Sequence, residues 1–166
     1  MGFTLVELMV AMTLAGMLMI GMTVLYLTAQ RNWLEASSKL MLQQDATYLL
    51  TTMTDPARSA HWFELASPDS SGIRLQWTDT SHNQHWFLRK FYWSGSDSLI
   101  HMCIGSRAGG LPETGPPISR TKVARLRFAG VPGQPNVLRI TSLRLTDSYG
   151  QTIELNSQAV MQNYVE

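Results

Sequence analysis

Cysteine is nearly absent: Cys103 is the only one in 166 residues. A single thiol excludes an intrachain disulfide and a cysteine-based metal cage. Free cysteine is among the most buried residue types, so Cys103 reads as an inert thiol buried on a strand. Charge is scarce as well. Charged residues make up 15% against 45% hydrophobic, and the net charge of +1 selects no partner. Proline is missing between Phe3 and Thr54, where Gly16 and Gly21 are the only glycines. Nothing in that stretch stops a helix. There is also no Gly-rich phosphate loop, no nucleophile elbow and no tuned carboxylate pair, so no catalytic residue and no cofactor site is expected.

What is present is unevenly spread. From Leu8 to Ala29 no residue is charged, and the segment is Leu, Met, Val, Ala, Gly and Thr almost throughout. About 20 apolar helical residues cross the hydrocarbon core of a bilayer, so this run is long enough to span. It exceeds the ~7–15-residue core of a cleaved secretory signal, and no small-x-small site follows it. The segment is expected to stay. Beyond Ala29 the pattern turns amphipathic: Leu34, Ser38, Met41, Leu42, Ala46, Leu49, Leu50 and Met53 recur at helical spacing. Asp55-Pro56 then supplies a stop, because a residue before proline avoids the helical region. The spacing predicts one helix from Phe3 to about Thr54, about 75–80 Å long at ~1.5 Å per residue.

The remainder alternates with period two. Ile73, Leu75 and Trp77 alternate with Arg74, Gln76 and Thr78. His85–Trp93 is apolar on both faces, which suits a central strand. Leu99–Ile104 and Ala124–Phe128 follow, then Val137–Asp147 with a register change near Thr141-Ser142 that predicts a bulge. Ser148-Tyr149-Gly150 reads as a turn before a last strand at Ile153–Leu155, and 105–121 and 129–136 read as loops. The fold class is α+β: an antiparallel sheet packed on the second half of one long helix.

One residue breaks the apolar pattern. Glu7 sits in Phe3-Thr4-Leu5-Val6-Glu7-Leu8, where an ionisable group at membrane depth needs a partner and marks a functional site. Gly2-Phe3-Thr4-Leu5-Val6-Glu7 resembles, residue for residue, the cleavage and methylation signature of type IV pilins and type II secretion pseudopilins. The resemblance implies that a prepilin peptidase cuts between Gly2 and Phe3, removes residues 1–2 and N-methylates Phe3. It further implies that 3–29 lies first in the inner membrane and later in a filament core. Residues 30–55 would continue the helix, and 56–166 would form a periplasmic domain. A new α-amino group, with an ordinary pKa of about 7.7–8.0, is largely cationic at neutral pH. Paired with Glu7 of a neighbouring subunit in low dielectric, it favours one helix stagger, so Glu7 is expected to set register. Met9, Met12, Met17, Met19 and Met22 suit the slightly inequivalent contacts of such a bundle.

The family's leader usually carries a basic residue before the glycine, and Met1-Gly2 has none. Major pilins usually also have a proline where Val24 stands, and often a C-terminal disulfide. Both departures favour a minor subunit. Leu42-Gln43-Gln44-Asp45 through Asp55-Pro56-Ala57-Arg58-Ser59-Ala60 resembles the J-type pseudopilin and W-type minor-pilin group. Expected partners are other pilins or pseudopilins, the peptidase and membrane lipid.

Two alternatives stay open. Arg120, Lys122, Arg125, Arg127, Arg139 and Arg144 occur with no acidic residue between Glu113 and Asp147. On one sheet face they would bind phosphates, as a DNA-binding minor pilin of a competence pilus requires; solvated outer strand faces are the plainer alternative. A monomeric membrane-anchored periplasmic protein is the other. His82-x-x-His85 and His101-x-Cys103 are the only metal-like spacings. The first pair cannot share a strand face, and the second has no carboxylate of suitable spacing, so no metal is expected.

Overall fold

A computed structural model describes residues 4–65, 70–79, 84–105 and 110–164. The chain divides into two units, Met1–Leu40 and Met41–Glu166. One helix, α1 (Leu5–Ser59), runs through the boundary. In the first unit residues 4–36 are exposed throughout, the uncharged run Leu8–Ala29 among them.

In the second unit α1 buries Leu42, Ala46, Leu49, Met53 and Ala57, a single stripe at helical spacing. That stripe matches the expected face from Leu42 onward. Leu34 and Met41 do not join it: they are 45% and 68% exposed. The helix also ends later than the Asp55-Pro56 stop predicts. Pro56 lies inside the last turn, where its carbonyl still accepts from the Ala60 N–H (3.0 Å) and the Ser59 hydroxyl (3.0 Å). The proline gives up its own N–H bond and crowds the carbonyl four residues back, but the residues after it keep their donors, and one further turn closes through the Ala60 N–H. Arg58 adds a cation to that turn, where helix carbonyls favour positive charge. The chain end returns to it: the Gln162 N–H donates to the Arg58 carbonyl (2.9 Å) and Asn163 Nδ2 to that of Ser59 (3.3 Å). Carbonyls that a helix terminus leaves open are thereby satisfied.

The strands form two sheets rather than the one expected. The first, in order β1 (Trp62–Leu65), β2 (Gly72–Asp79), β3 (Gln84–Ser94) and β4 (Leu99–Ile104), is antiparallel throughout. The second comprises β5 (Lys122–Val131), β6 (Gln134–Thr146) and β7 (Thr152–Val160), also antiparallel. Strand β3 is central in the first sheet, as its two-faced apolar sequence predicts. Strand β1, four residues long, gives no sign in the periodicity. The predicted bulge in β6 is present as a register shift between Ile140 and Leu143. The expected 129–136 loop is instead a tight hairpin. Val131 pairs with Gln134, and Pro132-Gly133 turns the chain with Gly133 at φ 76°, a conformation that only glycine adopts without strain.

Strand β5 joins the sheets. Its Val123 N–H donates to Ser98 (2.7 Å), its Phe128 N–H to Ser70 (3.0 Å), and Trp93 Nε1 donates to the Val123 carbonyl (2.8 Å). Both sheets then share one core with the helix stripe, in which Phe91, Ile100, Leu126, Phe128, Leu143 and Leu145 are fully buried. A side-chain bond from Thr121 Oγ1 to the Asp45 carboxylate ties the segment before β5 to the helix.

Residues 115–119 lie along the open edge of β4. The Met102 N–H donates to the Pro116 carbonyl (3.1 Å), the Ile118 N–H to that of Ile100 (2.7 Å), and the Ile100 N–H to Ser119 Oγ (2.9 Å). Unpaired β4 backbone groups are thus covered, which removes an edge open to aggregation. A Cβ on Gly115 would stand 2.1 Å from the Met102 carbonyl oxygen and 2.9 Å from Cys103 Sγ. We expect Gly115→Ala to cost about 1–3 kcal/mol, because the obstructing atom is backbone and cannot rotate away. Thermal unfolding of the variant measures this, and faster alkylation of Cys103 reports the lifted segment.

Candidate assembly site

The first turn of α1 carries the residue that breaks the apolar pattern. Thr4 stands just before the helix and Glu7 three residues later, the spacing of a capping box. The contacts are reciprocal. The Thr4 N–H and hydroxyl both donate to Glu7 Oε2 (2.9 and 3.0 Å), and the Glu7 N–H donates to Thr4 Oγ1 (3.3 Å). One carboxylate oxygen and one hydroxyl thereby satisfy backbone donors that every helix start leaves open. Glu7 also places negative charge at the positive end of the helix dipole. Thr4 was not among the residues expected to matter, although Thr-x-x-Glu ahead of an apolar run is a readable signal. The proposed cleavage pair Gly2–Phe3 lies outside the described residues.

Following the cap, the helix is long and apolar enough to cross a membrane by length and composition. Its few polar side chains are satisfied locally. Thr13 Oγ1 donates to the Val10 carbonyl (2.9 Å), Thr23 Oγ1 to Met19 (2.8 Å) and Thr28 Oγ1 to Val24 (2.8 Å). Hydroxyls bonded back to their own helix bring no unpaired donor into hydrocarbon. From Leu8 to Ala29 no charge interrupts the apolar surface, and Tyr26 and Trp33 near its far end are exposed. Amphipathic aromatics of this kind favour a membrane–water boundary.

The basic residues lie on the second sheet. Antiparallel partners share a face, and the register sets Arg125 opposite Arg144, Arg127 opposite Ser142, Lys122 opposite Thr146, and Arg139 opposite Ala129 and Gln158. Arg120 is exposed just before β5. The structure thus brings five of the six onto the outer face of β5–β6, away from the buried Val123, Leu126, Phe128, Leu143 and Leu145.

His101 and Cys103 share a face of β4, as their spacing predicts, but a carboxylate does reach the histidine. Asp97, across the β3–β4 turn, places Oδ2 2.8 Å from His101 Nε2, while Nδ1 lies 2.7 Å from the Gly115 carbonyl oxygen. Tyr92 stacks on the ring at 5.2 Å between centroids. Both ring nitrogens are occupied, so the cluster clamps the 115–119 segment. Among the described residues no group of three potential metal ligands occurs. Cys103 is free and buried, and burial pushes its thiol up, with the charge of Lys90 opposing. His82 lies outside the described residues, as does the side chain of His85.

Residues 2–23 match a family model described as "Prokaryotic N-terminal methylation motif". The match supports a type IV pilin-like subunit, a structural rather than enzymatic class, with an N-terminal helix consistent with membrane anchoring. No curated protein and no solved structure matches the chain.

Two outcomes test this geometry. With the full chain in micelles, Thr4→Val is expected to speed amide exchange in the first turn of α1 and leave the β-strands unchanged. Thr4→Ser, which keeps the hydroxyl, should restore protection. The second outcome concerns pH. The Leu99 backbone N–H, followed by the His101 and Ser94 side chains, holds the Asp97 carboxyl below its usual value. A depressed carboxylate pKa stabilises above its unfolded value of about 3.9 and loses that contribution as pH falls through the folded value. The stability difference between wild type and Asp97→Asn should accordingly be constant at neutral pH and shrink below about pH 4.

Proposed function

We propose that the chain is a minor subunit of a type IV pilus or type II secretion pseudopilus, held in the inner membrane until it assembles through α1. The observation that carries this is a helical run, uncharged from Leu8 to Ala29 and exposed throughout, that begins within the methylation motif. Such a surface requires lipid first and other helices afterwards. The globular domain would face the periplasm, and its place at or near the filament tip follows from the missing helix proline and the missing disulfide. Initiation of the filament, secretion or adhesion would then be its contribution.

In this scheme prepilin peptidase cuts between Gly2 and Phe3, and Phe3 is methylated. The cationic amine so formed pairs with Glu7 of an adjacent subunit and fixes the stagger. Glu7 is exposed and its side chain bonds to Thr4, so its replacement should spare folding of the second unit.

The test uses cells that assemble the filament. Glu7→Gln is expected to leave subunit abundance and the melting temperature unchanged while sharply lowering incorporation into sheared filaments. Single cysteines introduced along residues 8–27, in a Cys103→Ser background, should crosslink to neighbouring subunits with helical periodicity. Mass spectrometry of the mature chain should find N-methylated Phe3 at its start. Abundant subunit giving no helix–helix adducts would instead identify a monomeric membrane-anchored protein.

A further inference from the structure

The outer face of the second sheet has a composition that packing does not ask for. Arg125 of β5 and Arg144 of β6 are direct register partners. Like charges set directly opposite one another destabilise a sheet pair. Lys122, Arg127 and Arg139 stand on the same face, and among the described residues of these paired rows Glu154, the register partner of Arg144, is the acid that joins them. The Glu154 carboxylate is itself engaged, accepting from Ser142 Oγ at 2.7 Å. The chain as a whole carries a net charge of only +1, so this face concentrates positive charge that is balanced elsewhere. Beside Arg139, Thr141, Asn156 and Gln158 line a shallow depression with further hydrogen-bonding groups.

We propose that this face binds the phosphate backbone of double-stranded nucleic acid without regard to sequence. Charge complementarity calls for a polyanion, and four of the five cations are arginines, whose fork fits phosphate oxygens. The neutral residues in these rows choose between polyanions. They are Thr146, Thr152, Ser142, Ala129 and Gln158, with no aromatic among them. A surface that seats on anionic lipid inserts Trp, Phe or Leu between headgroups. One that holds single strands offers aromatic rings for bases to stack on. This face offers neither. Its cations are spread over adjacent strands, and duplex DNA presents about one charge per 1.7 Å of axis to a surface of that kind. The geometry asks nothing of the base edges, so binding depends on salt and not on sequence.

The experiment uses the full chain in phosphatidylcholine nanodiscs with labelled 30-base-pair duplexes of scrambled sequence, titrated by fluorescence anisotropy at several salt concentrations. Five phosphate contacts would give a slope of roughly −4.5 in log K against log salt, or a loss of nearly three orders of magnitude between 50 and 200 mM. Arg125→Gln/Arg144→Gln should flatten the slope by about 2 and weaken every duplex about equally. Its melting temperature should stay level or rise, because an opposed like-charge pair has gone. Arg139→Gln, on its own row of the sheet, provides a second variant should the double one fail to fold, with a flattening of about 1. Arg74→Gln, on the first sheet beside Glu64, should bind as wild type. Undiminished binding by a folded Arg125→Gln/Arg144→Gln or Arg139→Gln chain would overturn the proposal. So would tighter binding of a single strand of equal length. Displacement of duplex by phosphatidylglycerol vesicles at equal phosphate would assign the face to a membrane surface instead.

Discussion

A long run of exposed apolar side chains at the start of α1 sets the terms for everything else in this chain. From Leu5 to Leu27, sixteen large apolar or aromatic side chains are about half exposed or more. At ~1.5–3 kcal/mol for each such side chain, water contact along the run costs on the order of 25–50 kcal/mol. That exceeds the ~5–15 kcal/mol by which an entire domain is usually stable. No rearrangement of a marginally stable domain could offset it, so the cover must come from outside the chain. The polar features of the run answer to the same demand. Thr13, Thr23 and Thr28 turn their hydroxyls onto their own helix, and Thr4 and Glu7 close the helix start on each other.

The second unit solves a different problem, how a short stretch of helix and two small sheets make one core. Small residues take part: Ala46, Ala57 and Ala60 are fully buried in the same cluster as Phe91 and Phe128. Strand β5 then serves both sheets, with backbone bonds to Ser98 and Ser70 on one side and a full ladder to β6 on the other. Shared burial of Phe91 and Phe128 makes the two sheets a single cooperative body. Outward-facing side chains are released from that task and are available for charge.

The N-terminal motif, the helix, the central place of β3 and the bulge in β6 were all legible in the sequence. Each rests on a local rule, either periodicity or a short spacing. Non-local pairing was not legible. Periodicity describes one strand at a time and cannot tell one sheet of seven strands from two sheets of four and three. Strand β1 is too short for any alternation to register, and the helix passes Pro56 because a proline near a helix end loses little. Asp97 escaped notice beside His101 because the turn between them, not their spacing on a strand, brings them together. Thr4 is different: the Thr-x-x-Glu spacing is plain in the sequence, and the bonds between Thr4 and Glu7 follow from it. For the candidate site, then, Glu7 is legible as a charge in an apolar run and Thr4 as its capping partner.

That resident partner bears on the pairing proposed for Glu7. The Thr4 N–H and hydroxyl both converge on Oε2, whereas an ionised carboxylate has two oxygens and about four acceptor sites. Under the proposed pairing a neighbouring amino terminus would therefore add to the cap without breaking it. Assembly and disassembly would then leave the helix start unchanged, and a subunit waiting in the membrane would hold its carboxylate already bonded.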